Sequence, residues 1–486
     1  MASRRGASIA VDDGDGSIRL VARHVGIVGG GPAGLAAARM FLDENDRARA
    51  VQQTEVPFAS VTVLERNSRI GGVWNYTPEA DCRYGVPQAR PEDVDPRSSD
   101  TRCAASGMLP TPMYDELHTN LTKDTMQFTD YPFPETVPDF PSREDVRQYI
   151  QDYAAAHVLA PTRPEFSLHL DTEVVDLAFS ASEAQWTCTV RHPGDSQQTV
   201  FLFDAVLLCV GQCNYPHVPD IPGIGALAAS GHCRVMHAKE YRRAADYAGK
   251  SVLVVGGGAS GSDISRQLSY TAAAVHVSTG DIHDGAYYFT QRIGDGCCPS
   301  ANFYQHPPIA RFTAASVHFD NGTSIGVPDV VVFATGYLPA FPFIRQVPPL
   351  LPHDPPPFAG SNGINAMHRL MVYAPNPLLA AVGLPTLTVP FPLAEYQAMY
   401  LAQLYQGNLV LPPVAQMLQL WQTAGANEHP YVLGMEQIAY RNSIVDDIAA
   451  ASANGCARPP RFGHVPEHWN DLPELTLARR LANFGF

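Results

Sequence analysis

Residues 24–41 read HVGIVGGGPAGLAAARMF, and this stretch decides the fold. It opens with a short apolar run typical of a buried strand and ends with an Ala- and Leu-rich run of high helix propensity. Between them, Gly29, Gly31 and Gly34 have the G-x-G-x-x-G spacing. The first glycine permits a tight turn, the second lets the backbone approach a pyrophosphate, and the third lets the helix pack on the strand. Because the N–H groups that begin the helix then hold phosphates, the stretch predicts a dinucleotide site.

A second strand is predicted over residues 60–66, SVTVLER, with Glu65 near its end. A carboxylate at this position accepts hydrogen bonds from ribose hydroxyls. The gap between Gly29 and Glu65 is longer than usual, and residues 43–58 are predicted to form a polar insertion. A Gly-rich turn in another kind of α/β protein is the alternative interpretation.

The same pattern occurs again downstream. Residues 251–268, SVLVVGGGASGSDISRQL, predict a strand, a G-x-G-x-x-G turn and a helix, and residues 274–280, AVHVSTG, repeat the second strand. Two further stretches also match, because FDAVLLCVG and PDVVVFATG each begin a strand near an acid, Asp204 or Asp329, and end at a glycine. This duplication predicts two dinucleotide-binding domains, one inserted into the other.

The predicted fold class is therefore α/β, with two Rossmann-like dinucleotide-binding domains. The first is expected over residues 1–215 and resumes over residues 330–486, and the inserted domain is expected over residues 216–329. Helices are predicted over residues 146–158 and over residues 390–407, the second ending at a glycine C-cap.

The two repeats differ in the side chains at the end of their second strand. Thr279 matches Glu65, and Ser278 precedes it. A carboxylate favours a free ribose 2′-hydroxyl, whereas small hydroxyls leave room for a 2′-phosphate and can donate to it. The first site therefore suits FAD and the second NADPH. An arginine beside Ser278 would be expected to pair with the phosphate but is not present, and three basic residues are candidates to replace it: Arg266, His283 and Arg292.

Composition excludes several other classes of protein. The formal net charge of −15 over 486 residues argues against nucleic acid or an anionic membrane as a partner. The chain has no run of about 18 or more apolar residues and no apolar signal-peptide core, so a cytoplasmic protein without a membrane anchor is expected. The nine cysteines have no C-x-x-C spacing, which is typical of a reducing compartment.

With these motifs assembled, the chain resembles the flavin-containing monooxygenases, and its length is similar to that of the short, soluble, fungal-type members. The resemblance covers roughly residues 22–440. It rests on the following stretches: GGGPAG, LERNSRIGGVWNYT, MYDELHTNLTKDTMQF, MHAKEY, GGGASGSD, ATGYLPAFPF and PNPLLAAVGLP. His237 and Tyr241 keep part of the family signature, although Gly231 lies further ahead of His237 than in the family pattern and Ala229 replaces the usual Phe.

The resemblance implies an enzyme that uses FAD, NADPH and O2. NADPH would reduce the flavin, O2 would add at C4a, and the hydroperoxyflavin would oxygenate an amine nitrogen or a sulfur of a small-molecule substrate. Tyr241 stands where Baeyer–Villiger enzymes carry Trp, which favours heteroatom oxygenation. A Baeyer–Villiger monooxygenase acting on a ketone and an NADPH-dependent flavin oxidase or reductase are the alternatives. A homodimer is left open.

The motifs and the resemblance together give the candidate site residues, with Asn120 as the catalytic one. The residues expected at FAD are Gly29, Gly31, Pro32, Ala33, Gly34, Glu65, Arg66, Gly72, Val73, Trp74, His118, Thr119, Asn120, Leu121, Val174 and Gln397. The residues expected at NADPH are Tyr215, Gly256, Gly258, Ala259, Ser260, Gly261, Ser278, Thr279, Thr335 and Gly336.

Several of these residues have a purely structural alternative. Without its motif, Asn120 would be interpreted as a turn-forming residue. Trp74 could pack against the flavin or fill the core. Gln397 could contact the flavin or lie on a solvated helix face. The adjacent Cys297 and Cys298 raise a disulfide-reductase alternative, but such pairs are normally spaced C-x-x-C. No metal site is expected, because His276, His283, His306 and His318 lack ligand spacing with Cys or carboxylates.

Overall fold

A computed structural model describes residues 7–12, 14–80, 83–95, 102–103, 106–160, 162–195, 197–280, 302–344, 347–350, 358–360, 363–424, 431–466, 469, 476 and 479. The chain divides into two compact units. The first comprises Met1–Gly72, Thr122–Gly211 and Phe341–Asn470. The second comprises Val73–Leu121, Gln212–Ala340 and Asp471–Phe486.

A seven-stranded sheet lies at the centre of the first unit. Its strands, in sheet order, are Met367–His368 (β22), Val372–Tyr373 (β23), Leu379–Ala381 (β24), Ala205–Leu208 (β9), His24–Val28 (β3), Ser60–Leu64 (β4) and Phe166–His169 (β5). From β24 to β5 every neighbouring pair is parallel, whereas β22 and β23 pair antiparallel. The parallel part is the arrangement expected of a dinucleotide-binding fold.

Smaller sheets and six helices complete the described part of the first unit. The other strands are Ser8–Val11 (β1), Ile18–Val21 (β2), Glu173–Ser180 (β6), Gln185–Arg191 (β7), Gln198–Phe203 (β8), Ala359–Gly360 (β20), Gly363–Ile364 (β21) and Val410–Leu411 (β25). The helices are Pro32–Ala50 (α1), Lys123–Met126 (α2), Arg143–Ala154 (α3), Pro390–Tyr405 (α6), Val414–Ala424 (α7) and Glu436–Ala453 (α8). A π-helical turn, Ala155–Leu159, continues α3. The predicted helices over residues 146–158 and 390–407 are therefore confirmed.

The second unit has a fully parallel five-stranded sheet. Its strands, in order, are Arg234–His237 (β11), Val330–Phe333 (β18), Ser251–Val255 (β12), Ala274–Ser278 (β13) and Phe303–His306 (β14). The other described strands and α-helices are Tyr215–Pro216 (β10), Ile309–Phe312 (β15), Ser316–Phe319 (β16), Ser324–Gly326 (β17), Tyr337–Leu338 (β19), Ile224–Ser230 (α4) and Ala259–Ser269 (α5). Alternate residues of β12 are buried in two different clusters, one with residues of α5 and one with residues of β15 and β16. Because both faces are covered, the strand is almost continuously apolar.

The predicted duplication is visible in equivalent contacts of the two units. Asp204 directly precedes β9, and its Oδ2 accepts hydrogen bonds from the backbone nitrogens of Arg23 at 2.8 Å and His24 at 2.9 Å. Asp329 directly precedes β18, and its Oδ2 accepts from the backbone nitrogen of Ser251 at 2.8 Å. Each acid thus fixes the start of the strand that leads to a Gly-rich turn. The predicted α/β class with two Rossmann-like units is confirmed.

The predicted polar insertion over residues 43–58 begins within a helix, because α1 continues to Ala50. Ion pairs between residues three apart support the extra turns, Arg47 with Glu44 at 2.9 Å and Arg49 with Asp46 at 3.0 Å. The buried Asn45 amide then binds the returning loop, donating to the carbonyl oxygen of Phe58 and accepting from its nitrogen. The polar residues therefore belong to a helix whose buried face carries amide and carboxylate groups.

The two units do not coincide with the predicted domain boundaries. Residues 73–121 were expected within the first domain, but they group with the second unit. Arg242 is one reason, because its guanidinium donates to the carbonyl oxygens of Thr77 at 2.7 Å and Thr111 at 3.1 Å. The segment that carries several expected flavin residues is thereby fixed to the inserted unit.

A buried ionic network lies between α1 and α6 of the first unit. Arg39 is 1% exposed and pairs with Asp130 at 2.6 Å and with Glu395 at 3.3 Å. The Glu395 carboxylate is fully buried and also accepts from the nitrogen of Thr129 at 2.7 Å and the hydroxyl of Tyr153 at 3.1 Å. Burial raises the pKa of Glu395 to about 7, although the Thr129 hydrogen bond and the Arg39 charge both lower it.

Replacing Glu395 with Gln is expected to reduce the pH dependence of stability. Because folding raises the pKa of this carboxyl from its ordinary 4.5 to about 7, the group stabilises the folded state fully below pH 4.5, and this contribution is lost as the pH rises through 7. The loss is on the order of 3 kcal/mol. Urea unfolding at pH 5 and pH 8 should therefore show a smaller difference in stability for Glu395→Gln than for the wild type. The exposed Glu135→Gln variant is the control, and an unchanged difference for Glu395→Gln would contradict the assignment.

Candidate functional site: two glycine turns

The first and third glycines of the first turn are required by its backbone. Gly29 has φ +112°, and a Cβ there would lie 2.4 Å from the carbonyl oxygen of Cys209. A Cβ on Gly34 would lie 1.9 Å from the carbonyl oxygen of Gly29. Since both neighbouring atoms belong to the backbone, no side-chain movement could relieve either contact. These two positions therefore set how closely β9 and α1 approach β3.

The middle of this turn leaves room for a ligand. Gly31 is the N-cap of α1, with Pro32 as the first helical residue and no acidic side chain in the first turn. A Cβ on Gly31 would meet only the Cα of Gly72 at 3.4 Å and its nitrogen at 3.8 Å. A Cβ on Gly72, which has φ +57°, would in turn lie 3.0 Å from the Cα of Gly31, so glycine at both positions allows this close backbone approach. The N–H groups and the positive end of α1 thus fit a pyrophosphate.

Glu65 lies directly beside the first turn. Its carboxylate is 4% exposed, Oε2 accepts from the nitrogen of Gly30 at 2.6 Å, and Oε1 accepts from the nitrogen of Asn67 at 2.8 Å. These two bonds orient the carboxylate beside the turn. The geometry fits the predicted role of accepting hydrogen bonds from ribose hydroxyls.

The second turn repeats the first in detail. Gly256 has φ +107°, and its Cβ would lie 2.5 Å from the carbonyl oxygen of Ala334. A Cβ on Gly261 would lie 2.0 Å from the carbonyl oxygen of Gly256. Gly258 differs, because a Cβ there meets no atom within 4 Å and its backbone is extended, with φ −68° and ψ −172°. Ala259 and Ser260 follow as exposed residues of the first turn of α5. The fold therefore leaves open space at the middle glycine, where a phosphate group fits.

The end of β13 differs from the predicted phosphate contact in one respect. Ser278 is 3% exposed, and its hydroxyl donates to the carbonyl oxygen of Pro307 at 2.8 Å. Its proton is thus already used, and the nitrogen of Thr279 donates to the carbonyl oxygen of His306 at 3.1 Å, which leaves the hydroxyl of Thr279 as the candidate donor to a phosphate. Arg266 pairs with Asp263 at 2.8 Å. The other two candidate cations, His283 and Arg292, lie outside the described residues, as do Cys297 and Cys298.

The remaining expected flavin residues are divided between the units. Val73, Trp74, His118, Thr119, Asn120 and Leu121 belong to the second unit, whereas Arg66, Val174 and Gln397 belong to the first. Trp74 is partly buried in a 3-10 turn, Gly72–Trp74. Asn120 is exposed, and the buried Thr119 before it donates its hydroxyl proton to the carbonyl oxygen of Leu121 at 2.7 Å.

Gln397 is fully buried, so the solvated-face alternative for it is wrong. Its Oε1 accepts from the nitrogen of Gly383 at 2.8 Å, and its Nε2 donates to the hydroxyl of Tyr440 at 2.9 Å. Both ends of the amide are therefore used inside the first unit. The contacts give Gln397 a role in holding the loop that contains Gly383.

The expected NADPH residues Thr335 and Gly336 lie in a cluster of hydrogen bonds. The Thr335 hydroxyl donates to the carbonyl oxygen of His217 at 2.5 Å, and the nitrogen of His217 donates to the carbonyl oxygen of Gly336 at 3.0 Å. Nε2 of His237 lies 2.9 Å from the same Gly336 oxygen, and burial lowers the pKa of His237 to about 3. The ring is therefore neutral at physiological pH and donates through Nε2. Tyr215 lies next to this cluster in β10, which pairs with β19.

Sequence reasoning missed Arg242, which follows the signature residue Tyr241. This arginine is 5% exposed, and all of its described hydrogen bonds are to backbone carbonyl oxygens, those of Thr77, Glu79, Thr111, Lys239 and Tyr241. No local pattern in the sequence distinguishes it from the exposed Arg243 beside it.

Among the described residues, no group of three or more His, Cys, Asp or Glu side chains is arranged to hold a metal ion. Within the same residues, each helix is too short or too polar to cross a membrane.

Comparisons with known proteins agree with this geometry. A family model described as flavin-binding monooxygenase-like matches residues 103–305 and 300–452. Flavin-containing monooxygenase FMO GS-OX3 of Arabidopsis thaliana is 27% identical over 470 residues, which cover 91% of this chain and 87% of that protein. The thiol-specific monooxygenase of Saccharomyces cerevisiae is 27% identical over 462 residues, which cover 92% and 89%.

A solved structure shows the same architecture. S-allyl-L-cysteine S-oxygenase from Allium sativum matches with a TM-score of 0.71 and 25% sequence identity, over 95% of this chain and 93% of that one. The family model itself covers well over half of the chain. The chain therefore belongs to the flavin-binding monooxygenase-like family of flavin-dependent enzymes.

Proposed function

We propose that this flavin-dependent monooxygenase uses FAD and NADPH to oxygenate the sulfur atom of a small molecule. The assignment of the cofactors rests on the different residues beside the two glycine turns. The first turn has the buried Glu65 carboxylate beside it, which suits the ribose of FAD. The second has Thr279 at the equivalent position and no carboxylate there, which suits the 2′-phosphate of NADPH.

In this proposal each unit binds one cofactor. The first unit holds FAD on the N-terminus of α1, and the second holds NADPH on the N-terminus of α5. When bound, the flavin would supply the activation of O2. The chain's own residues bind the two cofactors and orient them, and Asn120 contributes an amide that can both donate and accept hydrogen bonds.

Two relatives favour sulfur over nitrogen as the oxygenated atom. One is a thiol-specific monooxygenase and the other an S-oxygenase, and both match this chain over more than 90% of its length. Tyr241, found where Baeyer–Villiger enzymes carry Trp, supports a heteroatom over a ketone.

Product analysis in ¹⁸O₂ tests the proposal. The purified enzyme would be given FAD, NADPH and one compound at a time from a panel of a thioether, a thiol, an amine and a ketone. We expect one ¹⁸O atom in an oxygenated sulfur product, with the second reduced to water. An ester from the ketone would instead show a Baeyer–Villiger enzyme, and peroxide equal to the NADPH consumed with every compound would show an oxidase.

Rapid mixing of the reduced enzyme with O2 in the absence of substrate tests the oxygen-activation step. A long-lived C4a-hydroperoxyflavin spectrum is the expected result. Immediate return of the oxidised flavin spectrum with release of peroxide would contradict it.

A further inference from the structure

Residues 113–121, which contain the catalytic candidate Asn120, are attached to α5 by a partly buried hydrogen bond. The hydroxyl of Tyr114 donates to Oδ2 of Asp263 at 2.6 Å. Tyr114 is 5% exposed, and its ring packs edge-to-face on Tyr241 with 5.4 Å between ring centroids. A hydrogen bond to a charged acceptor in such a site is stronger than one between neutral groups.

The acceptor carboxylate is itself held in place from several sides. Arg266 donates to Oδ1 of Asp263 at 2.8 Å, and Nε2 of Gln267 donates to its Oδ2 at 3.1 Å. The hydroxyl of Tyr241 in turn donates to Oε1 of Gln267 at 3.0 Å. Asp263 is the fifth residue of α5, whose N-cap is Gly258. The partner of Tyr114 therefore lies about one helical turn from the proposed pyrophosphate site.

Three further contacts fix the residues between Tyr114 and Asn120. The nitrogen of Asp115 donates to the carbonyl oxygen of Arg242 at 3.0 Å. Nε2 of Gln267 lies 3.4 Å from the carbonyl oxygen of Glu116. Leu117 packs against the apolar cluster that contains Ile264 of α5. The chain is thus attached up to Leu117, only three residues before the exposed Asn120.

We propose that Tyr114 and Asp263 are positioning residues that hold Asn120 at a fixed place relative to the NADPH-binding end of α5. This proposal rests on the proposed function. A catalytic group displaced by about 1 Å can lose most of its effect, so the attachment determines how O2 is used. With Asn120 in place, one oxygen atom goes to sulfur and the other to water. When it is displaced, NADPH, a proton and O2 give NADP⁺ and hydrogen peroxide.

Tyr114→Phe tests the proposal, because it removes only the hydroxyl. We expect the fraction of consumed NADPH that appears as peroxide to rise about three- to tenfold, while flavin content stays unchanged and the NADPH dissociation constant stays within about twofold. Asn120→Ala sets the largest peroxide fraction that loss of the amide can cause. Asp263→Asn, which removes the charge of the acceptor, should reproduce the direction of the effect.

Tyr247→Phe is the matched control. Tyr247 is 3% exposed, lies in the same apolar cluster, and donates its hydroxyl proton to the sulfur of Met236 rather than to α5. Removal of the Tyr247 hydroxyl should leave the fraction of NADPH that appears as peroxide almost unchanged. A Tyr114→Phe enzyme that behaves like Tyr247→Phe would overturn the proposal.

Hydrogen exchange gives a readout that does not depend on turnover. In the full-length protein without NADPH, amides of residues 113–121 should exchange several-fold faster in Tyr114→Phe than in the wild type or in Tyr247→Phe. Unchanged exchange, or faster exchange without more peroxide, would overturn the positioning role. If the wild type oxygenates no compound of the panel, the proposed function fails, and the exchange result still decides whether Tyr114 holds the segment.

Discussion

Gly34→Ala is expected to prevent the first unit from folding around its flavin site. The added Cβ would lie 1.9 Å from the carbonyl oxygen of Gly29 and 3.4 Å from a side-chain carbon of Ile27. To relieve the first contact, α1 must move away from β3, and α1 is also held by the ion pairs of the buried Arg39 with Glu395 and Asp130. Overpacking of a core costs about 1–3 kcal/mol, and a backbone collision in a fixed turn lies at the upper end or beyond. We expect little soluble protein, and no bound flavin in what is recovered.

The measurement is flavin absorbance per polypeptide together with the urea midpoint of the purified variant. Gly463→Ala, in the same unit, is the control, since a Cβ there meets no atom within 4 Å. A soluble Gly34→Ala protein with a full complement of flavin would show that α1 can shift at low cost, and the close packing of α1 on β3 would then not be needed for binding.

The parts of the fold that the sequence predicts are those set by local backbone geometry. Gly29 and Gly256 both have φ above +100°, so a glycine is needed there, and the spacing to the next glycines follows from the turn between strand and helix. Asp204 and Asp329 are equally local signals in each repeat, since each precedes a strand and accepts from the backbone at the start of its neighbour. These constraints leave a recognisable pattern even in a single sequence.

The contacts that hold residues 114–117 leave no such pattern. Tyr114 and Asp263 are separated by 149 residues, and Arg242 and Thr77 by 165. Nothing in the spacing of an isolated tyrosine or arginine tells which distant backbone or carboxylate it will contact. Gln397 shows the same limit, because its helix is predicted correctly, whereas its full burial and its hydrogen bond to Tyr440 of another helix are not. The sequence thus predicts the two glycine turns better than how residues 113–121 are held.

Gly258→Ala is expected to weaken NADPH binding at least about tenfold while leaving folding and flavin content unchanged, a free-energy change of about 1.4 kcal/mol. The structure separates these effects, since a Cβ at Gly258 meets no protein atom within 4 Å and φ of −68° suits alanine as well as glycine. The added methyl group would then occupy only the space that a pyrophosphate needs in order to reach the N–H groups of α5.

NADPH titration and flavin absorbance measure NADPH affinity and flavin content separately. Gly326→Ala is the control in the same unit, because a Cβ there would also meet no atom within 4 Å. Unchanged NADPH affinity would mean that the cofactor does not approach this turn, whereas loss of flavin with normal NADPH binding would reverse the assignment of the two sites.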